Sequence, residues 1–170
     1  KEIFNLLFNN GKEFNISHCG MLAMDTMRME SGYLHWGHDI SPEENQYEAG
    51  LKFAISYKKN VDFVGKDALL KIKNIKQKKR FIMLSLKHSK PGEPLLIHDE
   101  PIYADDKIIG RTTSSNYSFN YNKNLSFGYI NTDHSDDELG KKKIFIEVEK
   151  KKYRAKIEPK SLNDKNQMIN

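Results

Sequence analysis

The apolar side chains of this chain change their period near residue 77, and that change constrains the fold more than any single motif. Before it, Ile3, Phe4, Leu6, Leu7 and Phe8 fall at the three-and-four spacing of one helix face, and Gly11 follows as a stop. Leu69, Ile72 and Ile75 repeat that spacing among lysines, which predicts a helix from about Val64-Gly65-Lys66-Asp67 to the basic run 78–80. After residue 77, Ile82, Leu84 and Leu86 alternate with other residues, as one face of a strand does. Further short strands are predicted at 95–98, 108–113, 125–130, 144–148 and 153–157. Pro91-Gly92, Asp105-Asp106-Lys107, Asn122-Lys123-Asn124 and Gly140 supply the turns between them. Short strands with regular turn signals predict a small closed or sandwiched antiparallel sheet. The expected class is α+β, with a mixed α/β portion over 1–77, an all-β portion over 78–158 and a frayed tail over 159–170.

Within the first portion, the pattern from Met21 suits a helix that runs into an extended segment near Arg28. Ser41-Pro42-Glu43-Glu44 has the form of a helix start, with an oxygen at the cap, a proline where no amide hydrogen is needed and a carboxylate three residues on. Residues 53–57 read as a strand.

A chain of 170 residues with 38% hydrophobic and 30% charged residues can bury one good core or two small ones, as an ordinary globular protein does. No apolar run approaches the roughly 20 residues that span a bilayer, and residues 1–8 lack a signal core and a cleavage site. A chain that opens on Lys1 inside a helical pattern is expected to be a piece of something longer. Cys19 is the single cysteine, so no intrachain disulfide forms and a reducing, cytoplasmic location is expected, with the thiol small and buried. The net charge of +5 comes largely from lysines at 71–80, 141–143 and 150–152. These lack interleaved aromatic residues and any nucleic-acid module signature, so solvated faces are expected in preference to a nucleic-acid surface.

Few residues suggest chemistry by themselves. Glycine-rich phosphate loops are missing, so no flavin or nucleotide site is expected in the chain. His18 and Cys19 are sequence neighbours that do not face each other on a regular element, and no carboxylate orients them. His35, His38 and Asp39 offer three donors within five residues, short of a structural metal set, and ordinary hydrogen bonding is the expected role. Arg28 and Glu30 would share a side of an extended segment, either fixing it by a charge-assisted bond or touching a polar ligand. Tyr33 and Trp36, set between Gly32 and Gly37, either pack in the core or stack on a flat heterocycle.

Several blocks, taken in order, carry a resemblance. Met27-Arg28-Met29-Glu30-Ser31-Gly32-Tyr33-Leu34-His35-Trp36-Gly37, then Glu48-Ala49-Gly50-Leu51, then Asp62-Phe63-Val64-Gly65-Lys66-Asp67-Ala68-Leu69 resemble the carboxy-terminal half of the glycine-cleavage T-protein family, the folate-dependent aminomethyltransferases. They look still more like the folate domain fused to dimethylglycine and sarcosine dehydrogenases. Ile108-Ile109-Gly110-Arg111-Thr112-Thr113-Ser114-Ser115 and Leu125-Ser126-Phe127-Gly128-Tyr129-Ile130 resemble two strands of that family's carboxy-terminal barrel. The resemblance implies a partial ferredoxin-like α/β portion packed against a small antiparallel β-barrel. It also implies transfer of an aminomethyl, methylene or methyl group from a small amine or methyl donor to tetrahydrofolate. Tyr33 would contact the folate, with Arg28, Glu30 and Trp36 shaping the site and no metal involved. The family's amino-terminal half carries the aspartate that steers proton transfer, so that half, or a flavoprotein dehydrogenase portion, is an expected partner, and no catalytic residue is expected here. Met24 stands where T-proteins carry an arginine at the folate site, and no aromatic residue follows Glu158-Pro159-Lys160. Two rival expectations are a non-catalytic folate-family binding or assembly module and a basic nucleic-acid-binding protein.

Overall fold

The computed structural model describes residues 1–59 and 61–158. Six strands, β1 (Lys79–Leu86), β2 (Pro101–Ala104), β3 (Lys107–Ser118), β4 (Lys123–Asn131), β5 (Ile144–Val148) and β6 (Lys151–Glu158), close into a barrel in the order β1-β4-β3-β2-β5-β6. Every pairing is antiparallel, and β6 returns to β1, so the sheet has no free edge. Four α-helices accompany it among the described residues: α1 (Glu2–Asn10), α2 (Met21–Glu30), α3 (Lys66–Ile72) and α4 (Asp136–Lys141). The α+β class stands.

Alternation along the strands builds two cores. Ile82, Leu84 and Leu86 of β1 meet Ile102, Ile109, Ile130, Ile144, Ile146 and Ala155 from the other strands inside the barrel, and Leu139 of α4 joins them. A capping box starts α4, with the Ser135 side chain and Glu138 bonding each other's backbone. On the opposite face, Phe81 and Met83 of β1 and Leu125, Phe127 and Tyr129 of β4 lie with Met29 of α2. Both faces of β1 and β4 are thereby covered. Close approach of β3 and β4 requires glycine: a Cβ on Gly110 would lie 1.9 Å from the Tyr129 carbonyl oxygen.

Several expectations change on the structure. The strand expected at 95–98 is absent; the strand beside it is β2, only four residues long and beginning at a proline, held because it pairs on both sides with β3 and β5. Residues 53–57 form no strand, and a single 3-10 turn occupies Lys52–Ala54. Ser41 and Glu44 exchange the bonds of a helix start, Ser41 N and Oγ donating to Glu44 Oε2 at 2.8 and 2.6 Å, without a helix following. The helix α3 stops at Ile72, leaving Ile75 exposed, and α2 continues helical through Glu30. The described residues before 78 supply helices, turns and the bridge Trp36–Ile40, with no strand of a ferredoxin-like sheet among them. The predicted tail, 159–170, lies outside the described residues. No helix among the described residues is long and apolar enough to cross a membrane.

Candidate functional site

The end of α2 sets the geometry of the surface that follows it. Gly32 takes a left-handed conformation (φ 74°), Gly32 N donates to Met29 O at 3.1 Å and Tyr33 N to Arg28 O at 2.8 Å, the paired bonds of a Schellman stop. That stop swings the chain outward at Tyr33. Because residues 28 and 30 lie on a helix, their side chains diverge instead of sharing a face. Glu30, buried, accepts from the Ser118 hydroxyl and from Asn120 Nδ2 at 2.7 Å. Arg28 donates to Asp39 Oδ2 at 2.7 Å, Asp25 Oδ1 at 2.8 Å, Ser114 Oγ at 3.0 Å and the Tyr33 carbonyl at 3.3 Å, with its guanidinium 5.8 Å from the Phe127 ring centroid. Both residues fasten α2 to β3, Glu30 buried and Arg28 largely so.

Asp39 is the hub. Its side chain is fully buried, and its carboxylate accepts from Arg28, from the His35 amide at 2.9 Å and from the Thr113 hydroxyl at 2.5 Å. Its carbonyl accepts from the Tyr129 hydroxyl at 2.9 Å. Burial, and then the nearby Glu44, Asp39 and Glu48 carboxylates, push the Tyr129 phenol well above its ordinary pKa, so it stays a donor. Burial works against ionisation of Glu44, but hydrogen bonds from Lys79 and Ser41 outweigh it and hold that carboxyl below the usual glutamate range.

Between these anchors, the segment from Tyr33 to Ile40 borders two apolar clefts. Tyr33, 69% exposed, lines one of about 560 Å³ with Leu34, Ile40, Ala49, Leu51 and Phe53. Trp36, 67% exposed, lines the other, of about 690 Å³, which shares Ile40, Ala49 and Leu51 and extends to Val64 and Leu69 of the α3 region. Phe81 N donates to Glu48 O at 2.8 Å, tying the shared wall to β1. Tyr47 and Tyr57 hydroxyls, 2.5 Å apart, close the loop behind it. A third, polar cavity of about 340 Å³ is lined by Asp39 and Thr113 together with His38, Glu44, Lys79, Arg111 and Tyr129.

The structure sorts the residues singled out from sequence. Tyr33 and Trp36 line separate clefts that share Ile40, Ala49 and Leu51, and Trp36 is exposed instead of packed in the core. Arg28 and Glu30 stand behind them as fasteners. His35 and His38 rings sit 4.7 Å apart, but Asp39 turns inward to Arg28, and no group of three or more possible ligands gathers among the described residues. His18 stacks on Phe8 at 4.5 Å, and Cys19 is exposed, contrary to the buried thiol expected, because the segment after α1 covers no core. Sequence reasoning missed the fastening role of Asp39, Thr113, Ser114 and Ser118. The run Thr112-Thr113-Ser114-Ser115, polar on both faces of a strand, was the available signal.

A closed six-stranded barrel with a helix and loop fastened over β3 and β4 defines the class: residues 79–164 match the description "Glycine cleavage T-protein C-terminal barrel domain", and residues 1–59 match "GCVT N-terminal domain". The chain belongs to the glycine-cleavage T-protein family. Among its relatives, the mitochondrial dimethylglycine dehydrogenase of Homo sapiens is 32% identical over 155 residues, covering 91% of this chain and 17% of that protein. An aminomethyltransferase of Listeria welshimeri is 32% identical over 162 residues, covering 92% of this chain and 43% of that protein. The chain thus spans less than half the length of these curated relatives. The crystal structure of glycine cleavage system aminomethyltransferase T from Bartonella henselae shares the fold, with a TM-score of 0.68 over 81% of this chain and 37% of that one, at 20% identity.

Proposed function

We propose that the chain is the carboxy-terminal portion of a tetrahydrofolate-dependent one-carbon transferase, and that the Tyr33 and Trp36 clefts receive the folate. One observation carries this: two large aromatic rings stand exposed at the mouths of adjoining apolar clefts, on a loop held by a buried carboxylate. Rings so placed suit stacking on a conjugated heterocycle, and the Tyr33 hydroxyl adds a directional polar contact. Arg28 and Glu30 shape the wall by holding α2, through bonds already made within the chain. Bound tetrahydrofolate supplies the nitrogen that takes up the one-carbon unit from a small amine or methyl donor.

Among the described residues the Tyr33 cleft is lined by no carboxylate, histidine or lysine, and of the two carboxylates that line the Trp36 cleft, Glu43 and Glu44, the second is paired with Lys79. In this reading the proton-transfer group comes from elsewhere in the full-length protein, an amino-terminal half or a flavoprotein dehydrogenase portion, and the protein acts in the cytoplasm. The same lining supports a second reading, a folate-binding or assembly module without turnover. Titration of tetrahydrofolate against the full-length protein and its Tyr33→Ala variant tests the site. Loss of a stacking and hydrogen-bonding partner weakens binding at least about tenfold, roughly 1.4 kcal/mol. Equal affinities would remove Tyr33 from the site, and binding without turnover with any small methylamine would favour the module.

A further inference from the structure

We infer that Asp39 is a positioning residue for the two clefts, and that the bulge in β3 exists at this site to hold it. Thr112 pairs with Gly128 and Ser114 with Phe127, so Thr113 is the extra residue where the register of β3 shifts against β4. In a regular strand, Thr113 and Ser114 would point to opposite faces. The inserted residue cancels that alternation. Both side chains now reach the same ion pair, the Thr113 hydroxyl donating to Asp39 Oδ1 at 2.5 Å and Ser114 Oγ accepting from Arg28 Nη2 at 3.0 Å.

What the pair holds is the ligand-facing loop. Arg28 Nη1 is shared between Asp39 Oδ2 and the Tyr33 carbonyl, and the same Oδ2 accepts from the His35 amide. The carboxylate thus ties the start of the segment 33–39 to its end, with Trp36 between. Neither Asp39 nor Arg28 lines either apolar cleft, although Asp39 and Thr113 border the polar cavity beside them, so Asp39 acts on a molecule in the apolar clefts through Tyr33 and Trp36. A buried ion pair is a poor source of net stability, because desolvation offsets its attraction, whereas it fixes geometry sharply. A displacement of an ångström in supporting groups is enough to degrade a binding site.

Trp36 is the only tryptophan of the 170-residue chain and sits between the two anchored points, which gives a readout that needs no ligand. Trp36 emission and acrylamide quenching are measured in the folded chain for Asp39→Asn, Thr113→Val and Thr113→Ser. Asp39→Asn and Thr113→Val release the loop, with emission shifted to the red and quenching increased. Thr113→Ser keeps the hydroxyl and retains the parent values. The ligand arm rests on the folate proposal: in the full-length protein, Asp39→Asn and Thr113→Val each weaken tetrahydrofolate binding about tenfold although neither side chain lines the clefts. If the parent protein does not bind tetrahydrofolate, the folate proposal falls and the fluorescence changes still stand. Unchanged Trp36 emission and quenching in Thr113→Val, or a Thr113→Ser protein that behaves as Thr113→Val does, would overturn the positioning role. Thr113→Val decides the matter even if Asp39→Asn fails to fold.

Discussion

The barrel and the residues before it solve the problem of order in opposite ways. From β1 to β6 every strand is paired on both sides, and the interior fills with Ile82, Leu84, Ile102, Ile130 and Ile146, each nearly inaccessible to solvent. Before residue 78 the only buried apolar side chains among the described residues are Met29 and Ala49. Large apolar groups there remain in solvent, from Ile3, Phe4, Leu6 and Leu7 on α1 to Ile75, whereas after it, among the described residues, only Leu95, Ile97, Ile108 and Phe119 do so. A closed sheet satisfies its own backbone and core. The earlier region takes its order from the barrel instead, through Met29 packed on β1 and β4 and through the polar fastening of Arg28, Glu30 and Asp39 to β3. Apolar surface on such a scale marks a region that meets other groups. One region supplies rigidity, and the other supplies a surface for recognition.

Mutations break this contrast in order of size. Phe127 lies fully buried under α2, edge-on to Phe81 at 5.1 Å and beneath the Arg28 guanidinium, so Phe127→Ala removes support from both regions. A loss of about 3–5 kcal/mol is expected in urea unfolding; a loss below about 1 kcal/mol would mean that α2 is not packed where it is described. Next comes the fastening of α2. Glu30→Ala leaves the Ser118 hydroxyl and Asn120 amide without their acceptor and costs about 1–3 kcal/mol, with barrel amides keeping their hydrogen-exchange protection while those of α2 lose theirs. Parallel loss in the barrel would show that the two regions unfold as one.

The third effect depends on pH. Glu44 has its folded pKa below the ordinary glutamate value, so its contribution is complete above that value and is lost as pH falls through the folded one. Stability measured across the acid range declines less steeply in Glu44→Gln than in the parent chain, and identical acid limbs would deny the Lys79–Glu44 pair any role. The smallest effect belongs to α1. Leu6 is 63% exposed, and Leu6→Ala changes stability by no more than about 0.5 kcal/mol, measured by the same unfolding. A larger loss would place α1 in a core.

Much of this contrast was legible in the chain itself. Alternation at Ile82, Leu84 and Leu86 marked β1, and the apolar spacing from Ile3 to Phe8 marked α1, because local periodicity follows directly from which face is apolar. That spacing could not show that the face of α1 would remain exposed. The strand β2 was missed since four residues beginning at Pro101 carry little pattern, and the pairing on both its sides is a long-range property. Tyr33 and Trp36 could be singled out as aromatic residues between glycines, whereas the turning of Arg28 and Glu30 to separate partners depended on α2 staying helical to Glu30. Asp39 read as one of three nearby donors. Only the bulge at Thr113, invisible in the alternation, shows what it holds.

Hydrogen exchange of the full-length protein with and without tetrahydrofolate tests the division between scaffold and recognition surface most directly. Amides of β1, β3 and β4 should exchange slowest and remain unchanged, while those of residues 31–51 around Tyr33, Trp36 and Ala49 slow on addition of the folate. Slowing confined to the barrel cleft around His88 and Tyr153, with residues 31–51 unaffected, would contradict it.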